Sequence, residues 1–266
     1  MVRDQKVNPE FYMEIDETIN NWLEQCIQNL EKETIADTEQ KLVYDLCHAS
    51  LRITNVYYNS IIKLLKEGIR LPTKALLRTL AELASRLTWC LHSKAFGRNS
   101  TGTRIASWNK LSNRKYLNLI ENSMSIIHDK NWAKEQLKKA GQEKKCYEKN
   151  NMPEMPEKFE DICKSLSKKH KDFLRPALYL QFHHAVHIDA YLLRKFINES
   201  QLKDTLEKIE ELKVYCLVCV YFVISSVYSY WNWSLGEIRK EYQQICNALG
   251  CDINIENIFK NKQNSL

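Results

Sequence analysis

Glycine occurs 6 times and proline 5 times in 266 residues, where average usage would supply roughly 19 and 13. Few tight turns are encoded, which excludes an all-β fold, a collagen-like chain and a Pro/Gly-rich disordered chain. Long helices with short connections remain. The opening MVRDQKVNPE has no apolar stretch of the kind a secretory signal needs, so the chain reads as cytoplasmic. The 9 cysteines show no framework spacing and read as reduced, mostly buried thiols. Cys216 and Cys219 lie inside an apolar run with neither a turn nor a second ligand pair, so a zinc knuckle is not expected there. The loop Gly97-Arg98-Asn99-Ser100-Thr101-Gly102-Thr103 resembles a phosphate-binding loop, but it lacks the Lys after the second Gly and a preceding strand. No cofactor and no metal are expected.

What is present is apolar periodicity. The chain is 44% hydrophobic, enough to bury a substantial core at this length. The fold class predicted is all-α: a helical bundle with a long central apolar helix and a basic helical insertion. Asn8-Pro9-Glu10 marks a helix start, and that helix runs to about Lys32. Asp37 opens the next, with Gln40 as a box-like partner, and Gly68 ends it. Leu42, Leu46, Ala49, Ile53 and Val56 repeat at 4-3-4-3 and predict its core seam. After Pro72, ALLRTLAELASRLTWCLH predicts a third helix, with Leu76, Leu80, Leu83, Ala84, Leu87 and Leu91 on one stripe. Residues 92–103 read as a loop, 104–149 as a polar helical excursion, and 150–156 as a break with two prolines. Helices are expected from Pro156 to about Lys168, from Pro176 to about Asn198, and from Ser200 through the apolar run. Ser234 with Glu237 predicts a capping box for the last helix. Residues 1–102 and 176–266 are thus expected to build one bundle, with 103–175 as a partly mobile insertion.

Val214 to Trp231 is 18 residues without a charge, at the lower limit for a membrane span. Its amphipathic beginning at Leu202, Leu206, Ile209 and Leu212, its aromatic and serine content, and the lack of a second span favour a buried helix. No membrane contact is expected.

Charge is unevenly placed. Residues 103–175 hold 17 basic and 10 acidic residues, whereas the remainder holds 22 and 23. One segment thus carries the whole net charge of +6. Such a segment attracts phosphate-bearing partners such as RNA or a nucleotide; interleaved charges of this kind also suit a solvated lid.

The helix from Pro176 holds an unusual stripe. At 100° per residue, His183, His187 and Arg194 fall within about 40° of one another, on a helix otherwise apolar nearly all round. Buried basic groups need a partner. The stripe therefore reads as an acid/base or anion site, as an i, i+4 metal pair of His183 and His187 that lacks the Glu of an HExxH motif, or as a hydrogen-bonded core network. On the third helix, Arg78, Glu82 and Arg86 recur every four residues on the side away from the leucines. Glu82 there is a candidate partner for His187 or Arg194; the alternative is an exposed ion-pair ladder.

These segments carry a resemblance. ALLRTLAELASRLTWCLH is similar to the Arg-x-x-x-Glu helix of an uncharacterised bacterial all-helical family of unknown function. LYLQFHHAVHIDAYLL is similar to that family's Tyr-x-x-x-Ser-x-x-x-His segment: Tyr179 and His187 match, and His183 stands where Ser is usual. The resemblance spans roughly Asp37 to Tyr230. Such families are grouped loosely with HEPN proteins (helical nucleotide-binding and ribonuclease domains), often dimeric and often in toxin or antiviral defence systems. HEPN ribonucleases use an Arg-x(4–6)-His motif, and Arg86 and His92 have that spacing here, with Leu87 where a polar residue is common. In a continuous helix their side chains would point about 120° apart. The resemblance implies a homodimeric HEPN-like effector acting on RNA or a nucleotide, with Arg78, Glu82, His183, His187 and Arg194 as site residues. Its activity would be that of a metal-independent ribonuclease or nucleotide-directed enzyme. The alternative is a non-enzymatic interaction or regulatory subunit whose bundle binds a partner protein.

Overall fold

The computed structural model describes residues 9–92, 101–124, 126–150, 152, 154–158, 161–162 and 206–249. Among the described residues there are seven helices and no strand: α1 Pro9–Glu31, α2 Thr38–Lys66, α3 Arg70–His92, α4 Thr101–Ser123, α5 Lys130–Lys149, α6 Leu206–Tyr230 and α7 Gly236–Ala248. The all-α expectation holds. The expected helix over 176–198, most of that over 156–168, and the loop at 93–100 lie outside the described residues.

Local chemistry sets the helix ends. Asp37 caps α2 by accepting from the Gln40 amide at 2.8 Å, and the Gln40 side chain accepts from the Ala36 amide at 2.8 Å. The reciprocal bond therefore forms one residue earlier than a standard capping box would place it. At the far end Gly68 takes φ 71. Its amide donates to the Leu65 carbonyl and the Ile69 amide to the Leu64 carbonyl, the two bonds of a Schellman stop that favours glycine at this position. Asn232, at φ 56, turns the chain between α6 and α7, a conformation asparagine tolerates. The Ser234–Glu237 box does not form. Leu235 is the cap residue without a side-chain bond, Ser234 Oγ accepts from the Gly236 amide, and Glu237 turns to Lys240. The helix starts one residue too late for Ser234 to reach its third amide.

α6 is the centre of the bundle. It packs on α3 most extensively and also on α2 and α1. Cys216 to Val227 is buried without interruption, including Ser225 and Ser226. By length and composition α6 is apolar enough to cross a membrane, but 83% of its apolar window is covered by the rest of the chain. α1 lies antiparallel to α2, because Asp16 meets Tyr58 near one end and Glu31 meets Arg52 near the other. α7 is fastened by Trp22 Nε1 donating to Glu241 and by Tyr221 stacked on Tyr242 at 3.9 Å between ring centres.

The expected seam of α2 is on the wrong side. Leu42, Ala49, Ile53 and Val56 are exposed, and Leu46 is half-buried. The stripe that enters the core is Val43, Cys47, Ser50, Leu51, Thr54, Tyr58, Ile61, Ile62 and Leu65. Two apolar stripes share this helix, and periodicity alone cannot say which one turns inward. The buried stripe runs the full length of α2 and holds the bulky Tyr58 and Ile61, whereas the other ends at Ser60 and Lys63. Burial follows the larger apolar area.

Candidate functional site

Two features bear on function: the polar ladder of α3 and the basic hairpin of α4 and α5.

α3 buries Leu77, Leu80, Ala81, Ala84, Leu87, Trp89, Cys90 and Leu91, because its apolar residues cover one broad face. Leu76 and Leu83 are half-buried at its edge. On the ladder, Arg78 Nε donates to Glu82 Oε1 at 3.1 Å, and Nη2 lies 3.1 Å from the same oxygen. The Arg78 side chain is only 13% exposed and that of Glu82 35%, so this pair is more than a solvated surface rung. One turn on, Arg86 donates to Met155 Sδ at 3.2 Å and to the Glu157 carbonyl at 3.4 Å. Burial pushes its pKa down, while the Glu82 carboxylate, Cys90 and Glu157 act the other way. Sequence reasoning placed Arg78 and Glu82 in one site with His183, His187 and Arg194. The structure brings Arg78 and Glu82 together; His183, His187 and Arg194 lie outside the described residues.

The Arg86 and His92 side chains have different partners. His92 Nε2 lies 2.8 Å from the Ser226 carbonyl oxygen of α6. A carbonyl only accepts, so this ring nitrogen carries the proton. Next to it, Thr88 Oγ1 donates to the Ala84 carbonyl at 2.8 Å and lies 2.8 Å from Ser226 Oγ. The Thr88 proton is committed to Ala84, so Ser226 donates to Thr88. This buried network fixes the facing surfaces of α3 and α6.

One residue that the sequence reading counted only as part of the basic excursion has a structural role. Arg104 is 8% exposed. It donates through Nε to the Cys90 carbonyl at 2.6 Å, and through Nη2 to the Leu91 carbonyl at 3.4 Å and Thr101 Oγ1 at 2.9 Å. It therefore satisfies terminal carbonyls of α3 and places a positive charge at the negative end of that helix. No motif spacing signals such a contact.

The hairpin is different in character. α4 and α5 together carry eleven basic and four acidic residues, whereas α1 carries six acidic and no basic ones. α5 buries only Ala133 and Ala140. The strap after it returns along α4: the Met155 amide donates to the Ser107 carbonyl, Lys110 Nζ to the Met152 carbonyl at 2.6 Å, and Arg114 pairs with Glu154 and Glu157. Along α5, Lys130, Lys134, Lys138, Lys145 and Lys149 are exposed and fall within about 100° of arc. None of the five forms an ion pair among the described residues. Among those residues no group of three or more His, Cys, Asp or Glu could hold a metal. All seven described cysteines are free and six are buried, Cys146 being exposed.

Fold and site together define an all-helical bundle carrying a lysine-striped helical hairpin. The chain belongs to the family of unknown function DUF5677, whose sequence pattern it matches over residues 44–205. No curated protein and no solved structure matches it.

Proposed function

We propose that this protein is a HEPN-like helical effector of a bacterial defence or toxin-type system, and that it acts on RNA or a nucleotide. The observation that carries the reading is the stripe of unpaired lysines on α5. Five cations spaced mostly one turn apart, about 6 Å, have no ion-pair partner among the described residues. A polyanion supplies the counter-charge and releases its own counterions on binding. In this reading His183 and His187 exchange protons with the substrate, Arg194 stabilises phosphate charge, and the Arg78–Glu82 pair orients the site. Arg86 and His92 take no part in the chemistry.

The test is RNA binding by fluorescence anisotropy against salt, paired with a growth-arrest assay. Lys134→Glu with Lys138→Glu and Lys145→Glu should weaken RNA binding and flatten its salt dependence, since each phosphate contact contributes a slope of about one. His187→Ala should abolish arrest while leaving binding and folding intact. Equal RNA affinity in wild type and the triple variant would refute the reading.

A further inference from the structure

The misplaced seam of α2 has a chemistry of its own. Leu42, Ala49, Ile53 and Val56 are exposed, by 37% for Leu42, 44% for Ile53 and 67% for Val56. With half-buried Leu46 they span only about 80° of the helix surface. A 4-3-4-3 repeat of this kind is what a helix presents to another helix in knobs-into-holes packing. A contiguous apolar patch left in water marks an interaction surface. The inner stripe of the same helix already serves the core, so the seam is a second, separate surface.

The flanking charges identify the occupant. Asp45 and Arg52 border the seam on one side, with side chains 57% and 61% exposed. Take Leu46 and Ile53 as the a positions and Leu42, Ala49 and Val56 as the d positions of the repeat. Asp45 and Arg52 are then the two g positions. In a parallel pair each would face an e position of the partner, held by Ser50 or Tyr57, and the charges would gain nothing. In an antiparallel pair, g faces g. One antiparallel register sets Leu46 against Ala49 and Ile53 against Leu42 of a second copy, and it places each Asp45 beside an Arg52. Shifted one heptad along, the apolar layers are equally good, but Arg52 faces Arg52. The charges therefore select a single self-complementary register.

We propose that the α2 seam is the homodimer interface of this protein: two copies pair antiparallel about a twofold axis near residues 47 and 48, held by the Leu46–Ala49 and Ile53–Leu42 layers and by two reciprocal Asp45–Arg52 ion pairs. A twofold axis makes every contact occur twice and closes the assembly at two. The intramolecular contacts of these residues are Lys41–Asp45 at 2.9 Å, Arg52–Glu31 at 3.9 Å and Arg52 Nε donating to His48 Nε2 at 3.1 Å; Asp45 and Arg52 keep side chains 57% and 61% exposed, accessible to a partner.

The experiment is sedimentation velocity on the full chain across a micromolar concentration series, with thermal unfolding recorded for each variant. Wild type should be a dimer. Ile53→Glu with Val56→Glu should be monomeric with unchanged unfolding, because both positions are exposed within the single chain. Asp45→Arg alone and Arg52→Asp alone should each weaken dimerisation about tenfold or more, since each sets like charges face to face. Asp45→Arg combined with Arg52→Asp should restore the dimer, because the swapped charges again meet their opposites. A monomeric wild type, or a dimer indifferent to Ile53→Glu with Val56→Glu, overturns the interface. Failure of the double swap to rescue the single ones overturns the register. None of these outcomes depends on RNA binding.

Discussion

Arg86 and His92, six positions apart on α3, have side chains held by different elements: Arg86 reaches Met155 and Glu157 in the strap after α5, and His92 reaches the Ser226 carbonyl inside α6. The spacing suits a ribonuclease motif, but the helix directs the two residues to separate structural duties. His92→Ala should therefore lower stability by roughly 1 kcal/mol through the lost bond to α6. RNA affinity should stay at the wild-type value. Urea unfolding and anisotropy measure the two effects separately.

Arg104 gives a larger effect. Its guanidinium serves two carbonyls at the end of α3 and the Thr101 hydroxyl. Arg104→Ala removes the donor that the two buried carbonyls and the half-buried Thr101 hydroxyl share and should cost roughly 2–4 kcal/mol. Arg104→Lys should recover only part of this, because a lysine lacks the forked geometry that meets several acceptors at once. The denaturation midpoints of the two variants rank them.

Buried thiols make the fold sensitive to alkali. Burial pushes the Cys47 thiol from its ordinary 9.0 up to about 12, with the nearby Trp231 indole acting weakly the other way. Burial also raises the thiols of Cys26, Cys90, Cys216 and Cys219. Between pH 9 and the raised values the unfolded chain loses these protons and the folded chain keeps them, so stability falls as pH rises. The unfolding temperature should be level up to about pH 8 and decline above about pH 9. Replacing Cys47 and Cys90 together by alanine should flatten that decline. Under native conditions Cys146 should be the only described cysteine labelled quickly by a thiol reagent.

α5 and α6 sit at opposite ends of the stability range. α5 buries two alanines, whereas α6 buries an unbroken run of thirteen residues, Cys216 to Tyr228. Hydrogen exchange should be fast along Lys130–Lys149 and limited by global unfolding along Cys216–Val227. Equal protection of the two segments would contradict the assignment of α5 as a peripheral element.

Much of this was legible in the sequence. The ends of α2 followed from Asp37, Gln40 and Gly68, because caps and stops are local chemistry. The central helix followed from an uncharged run too long to lie on a surface. The basic balance of the hairpin followed from counting. The facing of α2 was not legible, since two apolar stripes compete and only tertiary packing chooses between them. The Arg104 contact was also hidden, because a guanidinium bonded to backbone carbonyls leaves no pattern in side-chain identity. The Arg78–Glu82 pair was legible as a ladder, but its burial depends on neighbours that α3 alone does not specify.

The position of α6 in the chain matters for synthesis. Its partners α1, α2 and α3 leave the ribosome first, and more than a hundred residues pass before the helix that covers them is made. Through that interval their inward faces, Trp22, Tyr58 and Trp89 among them, have no completed core to enter. Apolar surface left open through that interval is the kind that makes partly made chains prone to aggregate. A product truncated before Leu206 would expose that apolar surface permanently, so the cell's proteases, not a defect at any active residue, would clear chains that stop early.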